Sequence, residues 1–237
     1  MNTTSPPSPN AWEYLATLAG ELVHEIKNPL GTIKLNLQLL QEDLTAPKNP
    51  REKRTARKLQ VLQKEVQRLT QTLDDFLRLV RLEAIRPQAV DLNELAAEIA
   101  EFIEPELARA NIQLREQYTQ NLPHCHADAR LLKQAILNLV LNAQQAMPEG
   151  GELILRTSQP SDTLAIEVID TGPGIPEPLR TRIFDPFFST KKDGSGLGLA
   201  ITRRIIDQHN GTITLQSEPG KGTDFIIQLP AYGAANA

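Results

Sequence analysis

The side chains best suited to binding a charged ligand lie in the C-terminal half of this sequence. Asn138 and Asn142 are four residues apart in a long predicted helix, so their amides share one helix face among apolar neighbours. Carboxamide oxygens are suitable ligands for a hard cation, such as one that bridges phosphates. Taken alone, the pair is explained equally well by two capped or solvated asparagines.

A second candidate site follows a hydrophobic predicted strand, where Asp170 precedes a turn that contains Gly172 and Gly174. A carboxylate at the end of a strand can accept a hydrogen bond from an exocyclic amine such as that of adenine. The two glycines would let the backbone approach a flat ring closely. Many unrelated proteins contain such a turn, so its meaning depends on the segments around it.

A glycine-rich segment with Gly194, Gly196 and Gly198 precedes the next predicted helix. Backbone N–H groups that glycine leaves accessible, together with the positive end of a helix dipole, favour phosphate. The segment lacks the strand–loop context of a Walker or Rossmann motif. It therefore predicts a phosphate-binding loop of another kind.

The stretch 176–194 joins these two glycine segments, and it is rich in helix breakers and contains three phenylalanines. This composition is typical of a mobile lid with aromatic anchors. Lys191 and Lys192 in this stretch are candidates for contact with a terminal phosphate, although a solvated lysine pair would explain them equally well.

His24 is the candidate nucleophile of the N-terminal half. At about 100° per residue, Leu22 and Ile26 define the buried side of the predicted helix, and His24 lies roughly opposite. A neutral imidazole nitrogen can attack a phosphorus atom, and the adjacent Glu25 can orient the ring and accept its proton. Asn28 lies one turn further on and about 40° round, within reach of the same space. An ordinary surface histidine is the alternative interpretation.

Two long helices are predicted to carry His24. Residues 11–86 follow a helical period, broken at 45–50 and ended by Pro87. The second helix has a strict heptad seam, made by Leu59, Leu62, Val66, Leu69, Leu73, Phe76 and Val80. The first helix carries one apolar stripe, made by Leu15, Leu18, Leu22, Ile26, Ile33, Leu37, Leu40 and Leu44.

A hairpin of two helices cannot enclose a core, so the seam predicts a partner. The simplest solution is a four-helix bundle that two copies of the chain form together. The alternative is a hairpin that packs on the C-terminal domain of its own chain.

The pattern changes after Pro87. Helices are predicted at 93–110, 129–147 and 197–209, and strands at 112–118, 152–157, 164–169, 212–217 and 224–229. Gly220 and Gly222 join the last two strands as a hairpin. This order predicts a two-layer α+β domain with a largely antiparallel or mixed sheet.

Composition excludes several classes of protein. The net charge of −4 gives no basis for a nucleic-acid or membrane binder, and the single Cys125 fits a reducing compartment. No apolar run approaches the ~20 residues that span a bilayer, and the first ten residues read as a flexible lead rather than a signal peptide. We therefore expect a soluble, cytoplasmic protein. His124 and His126 flank Cys125, but on a strand the thiol would point away from both, which argues against a metal site.

Five segments of the chain, in this order, resemble the H, N, G1, F and G2 boxes of histidine kinases. They are HEIKNPL at 24–30, NLVLNA at 138–143, DTGPG at 170–174, DPFF at 185–188 and GSGLG at 194–198. FFSTK at 187–191 and AMP at 146–148 are similar to the nitrogen-regulator type of sensor kinase. The resemblance covers nearly the whole chain.

The resemblance implies a dimerisation and histidine-phosphotransfer hairpin at 11–86 and a Bergerat-type ATP-binding domain at 87–232, with a tail at 233–237. It implies ATP and Mg²⁺ as ligands. It implies that Asp170 binds adenine and that Asn142, together with Asn138, binds Mg²⁺. The glycine-rich segment, including Leu197, would bind the phosphates. A threonine of the last hairpin, here Thr223, would help to hold adenine.

The implied activity is autophosphorylation of His24, followed by transfer to an aspartate of a response regulator. The pattern of Glu25 and Asn28 implies phosphatase activity as well, with the amide orienting the attacking water. The implied partners are a second copy of the chain and a receiver domain. Two alternatives remain: another ATPase or protein kinase of the Bergerat fold, and an inactive dimeric scaffold.

Overall fold

The structure is a computed structural model that describes residues 9–42, 44, 49–80, 84–191 and 194–231. The side chains of residues 9–19, 21 and 24 lie outside that description. The chain forms two compact units, residues 1–83 and 84–237.

The first unit is a helical hairpin of α1 (Pro9–Glu42) and α2 (Pro50–Val80). Pro50 is the first residue of α2, a position where its missing N–H costs nothing, and the Asn49 side chain accepts the N–H groups of Arg51 and Glu52 at 3.0 Å each. In the half of the hairpin next to the connection between the helices, Leu37 packs with Leu59 and Val66 of α2. These contacts confirm the predicted pair of helices.

The apolar residues of the predicted stripe of α1 and of the predicted seam of α2 divide into two rows. One row is buried within the hairpin. The other is exposed in the single chain and consists of Leu22, Ile26, Ile33, Leu40, Leu62 and Leu69. The exposed fraction of Leu22 is 58%, whereas that of its neighbour Val23 is 2%. The side chains of Leu15 and Leu18 lie outside the described residues.

The prediction that the second helix continues to Arg86 is wrong. The described helix ends at Val80, and residues 84–87 have no regular structure. A residue before proline avoids the helical region, and the Arg86 N–H donates to the Asp128 carboxylate at 3.1 Å instead of to a helix carbonyl.

The second unit combines a mixed sheet with helices. Its helices are α3 (Leu92–Arg109), α4 (Ala129–Ala146), α5 (Glu177–Arg180) and α6 (Gly198–Gln208). Its strands are β1 (Gln88–Val90), β2 (Ile112–Gln117), β3 (Cys125–Ala127), β4 (Gly151–Ser158), β5 (Thr163–Asp170), β6 (Thr212–Glu218) and β7 (Gly222–Pro230). The main sheet has the order β2-β4-β5-β7-β6, with only β2 and β4 parallel, and β1 pairs with β3.

Aspartates start the two long helices of this unit. Asp91 accepts the N–H groups of Asn93 and Glu94 at the start of α3, and Asp128 caps α4 in the same way. Alternate residues of β5, such as Ile166 and Val168, are fully buried, as is Leu139 of α4. One sheet covered by helices is the predicted α+β fold, which is confirmed. The short elements β1, β3 and α5 were not predicted.

None of the described helices is long and apolar enough to cross a membrane.

Candidate functional site

Asp170 ends β5 and pairs in the sheet with Thr223 of β7. Its side chain is 4% exposed, and it accepts the N–H of Gly172 at 2.8 Å. Burial raises the pKa of Asp170, while the backbone N–H groups of Gly172 and Thr223 and the charge of Lys191 act in the opposite direction. Carboxylate oxygens can accept more than these two backbone bonds, so Asp170 can also accept a hydrogen bond from a ligand.

The turn after Asp170 packs tightly on the hairpin between β6 and β7. Gly174 has φ +72°, and a Cβ there would lie 2.1 Å from the carbonyl oxygen of Glu218. The N–H of Gly220 donates to the carbonyl oxygen of Pro173 at 2.8 Å. Only glycine fits this close backbone approach, so Gly174 shapes the turn that follows Asp170.

Ser217 supports the same corner of the site, and sequence reasoning missed it. Its hydroxyl donates to the carbonyl oxygen of Gly222 at 2.8 Å and accepts the N–H of Ile175 at 2.7 Å. It also lies 3.1 Å from the hydroxyl of Thr223, which is itself buried. The available signal was weak: Ser217 is a polar residue on the face of β6 that carries Ile213 and Leu215.

The two amides of α4 have different partners. The Nδ2 of Asn138 lies 3.3 Å from the carbonyl oxygen of Gly198 and 3.5 Å from the hydroxyl of the fully buried Thr202. Asn138 thus ties α4 to the first turn of α6 through its nitrogen, which leaves its oxygen for a cation. The Oδ1 of Asn142 accepts a hydrogen bond from Lys191 at 3.4 Å.

Lys191 places a positive charge on the α4 amides. Its Nζ lies 2.7 Å from the Oε1 of Gln145, one turn after Asn142. Burial lowers the pKa of Lys191, and the charge of Asp170 opposes that shift. The ammonium thus contacts Asn142, one of the two amides expected to bind a metal ion, and a carboxamide oxygen that accepts from an ammonium also fits a hard cation such as Mg²⁺. Gln145 was not among the predicted site residues.

The glycine-rich segment leads into α6. Gly196 has φ +68°, and a Cβ there would lie 2.5 Å from the backbone of Phe187. At Gly194 a Cβ would lie 2.5 Å from the hydroxyl of Ser189, whereas at Gly198 it would meet nothing within 4 Å. Leu197 is fully buried, and its N–H donates to the Ser195 hydroxyl at 3.4 Å. At Gly198 the first turn of α6 begins next to open space, and the N–H groups of that turn have no acceptor within the helix.

These contacts join the predicted residues into one site. A Cβ at Gly172 would lie 3.2 Å from the Cβ of Ala146, so the turn after Asp170 adjoins the end of α4. Asn138 connects α4 to α6, and Lys191 interacts with both α4 and Asp170. A buried carboxylate, an amide-held cation position and a helix N-terminus thus surround one region, a combination suited to a nucleotide.

In the first unit, the described side chains of Glu25 and Asn28 are exposed on α1. The carbonyl oxygen of Asn28 accepts the hydroxyl of Thr32 at 3.3 Å, and Lys27 forms an ion pair with Asp74 of α2. His24 lies in α1, but its side chain is outside the described residues, so its outward orientation stays a prediction.

The thiol of Cys125 and the imidazoles of His124 and His126 lie in different surroundings. Cys125 is 1% exposed and its thiol donates to the carbonyl oxygen of Val90 at 3.7 Å, whereas His124 and His126 are exposed. Burial raises the pKa of the Cys125 thiol to about 11. Within the described ranges, no group of three or more His, Cys, Asp or Glu side chains could hold a metal ion.

Two family models match the chain. "His Kinase A (phospho-acceptor) domain" matches residues 14–85, and "Histidine kinase-, DNA gyrase B-, and HSP90-like ATPase" matches residues 127–233. The sensor histidine kinase ZraS of Escherichia coli (strain K12) is 38% identical over 216 residues, which are 91% of this chain and 45% of that protein. The chain spans less than half the length of this curated relative.

Solved structures of histidine kinases are also similar to this chain. The nucleotide-free catalytic domain of histidine kinase ThkA is 35% identical, with a TM-score of 0.57, over 62% of this chain and 96% of that domain. Full-length ShkA in complex with AMPPNP is 26% identical, with a TM-score of 0.74, over 91% of this chain and 46% of that one. ThkA in complex with the response regulator TrrA is 27% identical, with a TM-score of 0.69, over 96% of this chain and 65% of that one.

Proposed function

Because the chain belongs to the two-component histidine kinases, we propose that it uses ATP to phosphorylate its own His24 and passes the phosphoryl group to an aspartate of a response regulator. The observation that carries this proposal is the single site formed by Asp170, the α4 amides and the N-terminus of α6. We assign residues 11–86 to dimerisation and phosphotransfer and residues 87–232 to ATP binding. ATP and receiver domains are found in the cytoplasm, so we place this activity there.

Adenine binds at the corner between β5 and β7 in this proposal. The Asp170 carboxylate accepts a hydrogen bond from the exocyclic amine, and its buried position strengthens that bond. Gly172 and Gly174 let the turn lie against the ring. Thr223 lies next to Asp170 in the sheet, and its contact with Ser217 fixes it there.

The phosphates lie between α4 and α6. The glycine-rich segment with Gly194, Gly196, Leu197 and Gly198 lies against them in this proposal, and the dipole of α6 adds favourable charge. Asn142 and Asn138 would hold Mg²⁺ through their carboxamide oxygens. When bound there, the metal neutralises charge on the phosphates. Lys191 supplies a further positive charge on the same side.

At the phosphoacceptor, a neutral ring nitrogen of His24 attacks the γ-phosphorus, and the bond from phosphorus to the β–γ bridging oxygen breaks as ADP leaves. The second ring nitrogen loses its proton to the Glu25 carboxylate. In the phosphatase activity, Asn28 orients a water molecule that attacks the phosphorus of the phosphoaspartate on the receiver, and inorganic phosphate leaves the aspartate carboxylate. The exposure of Glu25 and Asn28 supports both roles.

A second copy of the chain covers the exposed apolar row in this proposal. Six large apolar side chains, each 45–58% exposed, lie along one face of each helix of the hairpin. At about 25 cal/mol per Å² of apolar surface, covering such a row on two hairpins supplies the driving force for a four-helix bundle.

The receiver domain docks on another face of α1. Leu35 and Leu39 are 56% and 51% exposed and are separate from the apolar row. Leu35 lies eleven residues after His24, which places the two about 20° apart around the helix. An apolar patch on the same face as the phosphoacceptor would hold a receiver with its aspartate close to the phosphohistidine.

Incubation of the chain with Mg²⁺ and ATP labelled at the γ-phosphate tests this function. The wild-type chain should acquire acid-labile, base-stable label, and His24→Gln should acquire none. ADP release without label on the protein would favour another ATPase of this fold. Nucleotide binding without either reaction would favour a scaffold.

A further inference from the structure

Among the described residues, the ammonium of Lys191 has only neutral acceptors in direct contact. Its Nζ donates to the Gln145 and Asn142 carboxamide oxygens, at 2.7 Å and 3.4 Å. In the part of the chain that the structure describes, no carboxylate forms an ion pair with it. Asp170 influences it only from a distance. An exposed ammonium that only amides hold in place is arranged to receive an anion from outside the protein.

The two amides are not equivalent acceptors. Gln145 makes the shorter contact and Asn142 the longer one, and Asn142 is the residue proposed to hold Mg²⁺. A magnesium ion binds its oxygen ligands at about 2.1 Å, so an ammonium and Mg²⁺ would compete for the Asn142 oxygen. Gln145, which lies three residues further along α4, is free of that competition.

We propose that Lys191 is a built-in cation that takes the place of Mg²⁺ beside the phosphates of a metal-free nucleotide, with Gln145 as its positioning residue. The ligand is a nucleoside di- or triphosphate that has no metal ion bound. This inference rests on the proposed function, since it requires a nucleotide between α4 and α6. Beyond that function, it states that Lys191 makes nucleotide binding partly independent of a metal ion.

The effect of Lys191 must then depend on metal. Without metal, the ammonium compensates charge on the phosphates directly, and charge-assisted bonds are the strong ones. With Mg²⁺ on Asn142, the metal neutralises the same oxygens and repels the ammonium, so the lysine adds little. A residue that simply binds phosphate would contribute equally in both conditions.

Calorimetric titration of the full chain with ADP, once with EDTA and once with excess Mg²⁺, tests this inference. In EDTA, Lys191→Met should weaken ADP binding by about tenfold, and Gln145→Ala by about threefold. In Mg²⁺, both variants should bind within about twofold of the wild-type chain. Lys191→Arg should keep most of the metal-free affinity because it keeps the charge.

Lys133→Met is the matched control. It also removes one lysine charge, but from a residue of α4 that is paired with Glu98. It should change neither affinity. Equal losses for Lys191→Met in EDTA and in Mg²⁺, or no loss in EDTA, would overturn this inference alone. Failure of the wild-type chain to bind ADP in either condition would overturn the proposed function as well.

Discussion

The backbone N–H of Asp128 donates to the Nε2 of His209 at 2.9 Å, and this bond joins the start of α4 to the end of α6. The Nδ1 of His209 lies 2.7 Å from the carbonyl oxygen of Ile205, so Nδ1 carries the proton and both ring nitrogens are used. The side chain is 4% exposed. The two helices that line the candidate site are thus fixed to each other at the end away from Gly198.

His209→Ala should destabilise the second unit, because it leaves the Asp128 N–H without a buried acceptor and opens a cavity. We expect the free energy of unfolding to fall by about 2–4 kcal/mol. Urea titration followed by circular dichroism measures it. His124→Ala, which removes an exposed imidazole, is the control and should change stability by less than about 0.5 kcal/mol. Similar values for the two variants would contradict the assigned role.

Asp224 should make the stability of the second unit depend on pH. Burial, helped by Glu167, raises its pKa to about 6, and Arg156 opposes the shift. The unfolded chain has an ordinary carboxyl pKa of about 3.9, so the folded chain holds the proton more tightly. The stability from the protonated group is therefore present below about pH 4 and is lost as pH rises through about 6.

Asp224→Asn should for this reason be more stable than the wild-type chain at pH 8. The expected gain is only about 1 kcal/mol, because about half of the side chain remains in contact with solvent. The difference should vanish near pH 4. Urea titrations at several pH values check both statements, with Asp162→Asn in an exposed turn as control. A constant difference across this pH range would refute the assignment.

Gly174→Ala should weaken ADP binding at least tenfold, since its Cβ would displace either the Glu218 backbone or the turn that approaches adenine. Gly220→Ala is the control, because it tests the effect of backbone strain without a close contact. Gly220 also has a positive φ, of +81°, but a Cβ there would meet nothing within 4 Å. It should cost about 1 kcal/mol of stability and leave ADP affinity unchanged. Equal ADP affinities for both variants would contradict the assignment.

Ile33→Glu should dissociate the proposed dimer, because it places a charge in the exposed apolar row. Leu35→Glu is the matched control on the face that carries His24, and it should leave the dimer intact while slowing phosphotransfer to the receiver. Sedimentation velocity gives the oligomeric state, and transfer of label from phosphorylated chain gives the rate. A monomeric wild-type chain, or dissociation by both variants, would exclude this arrangement.

The predicted architecture follows from patterns that are local in the chain. Heptad spacing predicts the hairpin, and alternating apolar residues predict β4, β5 and β7 within one or two residues. Periodicity alone could not divide the stripe of α1, because Leu37 and Leu40 are less than one helical turn apart. Only the folded chain shows that Leu37 packs against α2 whereas Leu40 is exposed. Strands of three residues, such as β1 and β3, are too short to show a period.

The histidine kinase family was predicted from five segments and is confirmed by the matched relatives. The supporting residues of the site were missed for a common reason. Ser217 contacts Ile175, 42 residues away, and Gln145 contacts Lys191, 46 residues away. Neither belongs to a motif, and only the folded chain brings each pair together.

Mapping the phosphoryl group on the chain tests the central claim most directly. After reaction with Mg²⁺ and ATP, peptides analysed by mass spectrometry under neutral conditions should carry phosphate on His24 and on no other residue. Peptides from the Asp170→Asn variant should carry far less. Phosphate on a serine or threonine, or an unmodified His24 in a chain that binds Mg²⁺ and ATP, would contradict the account.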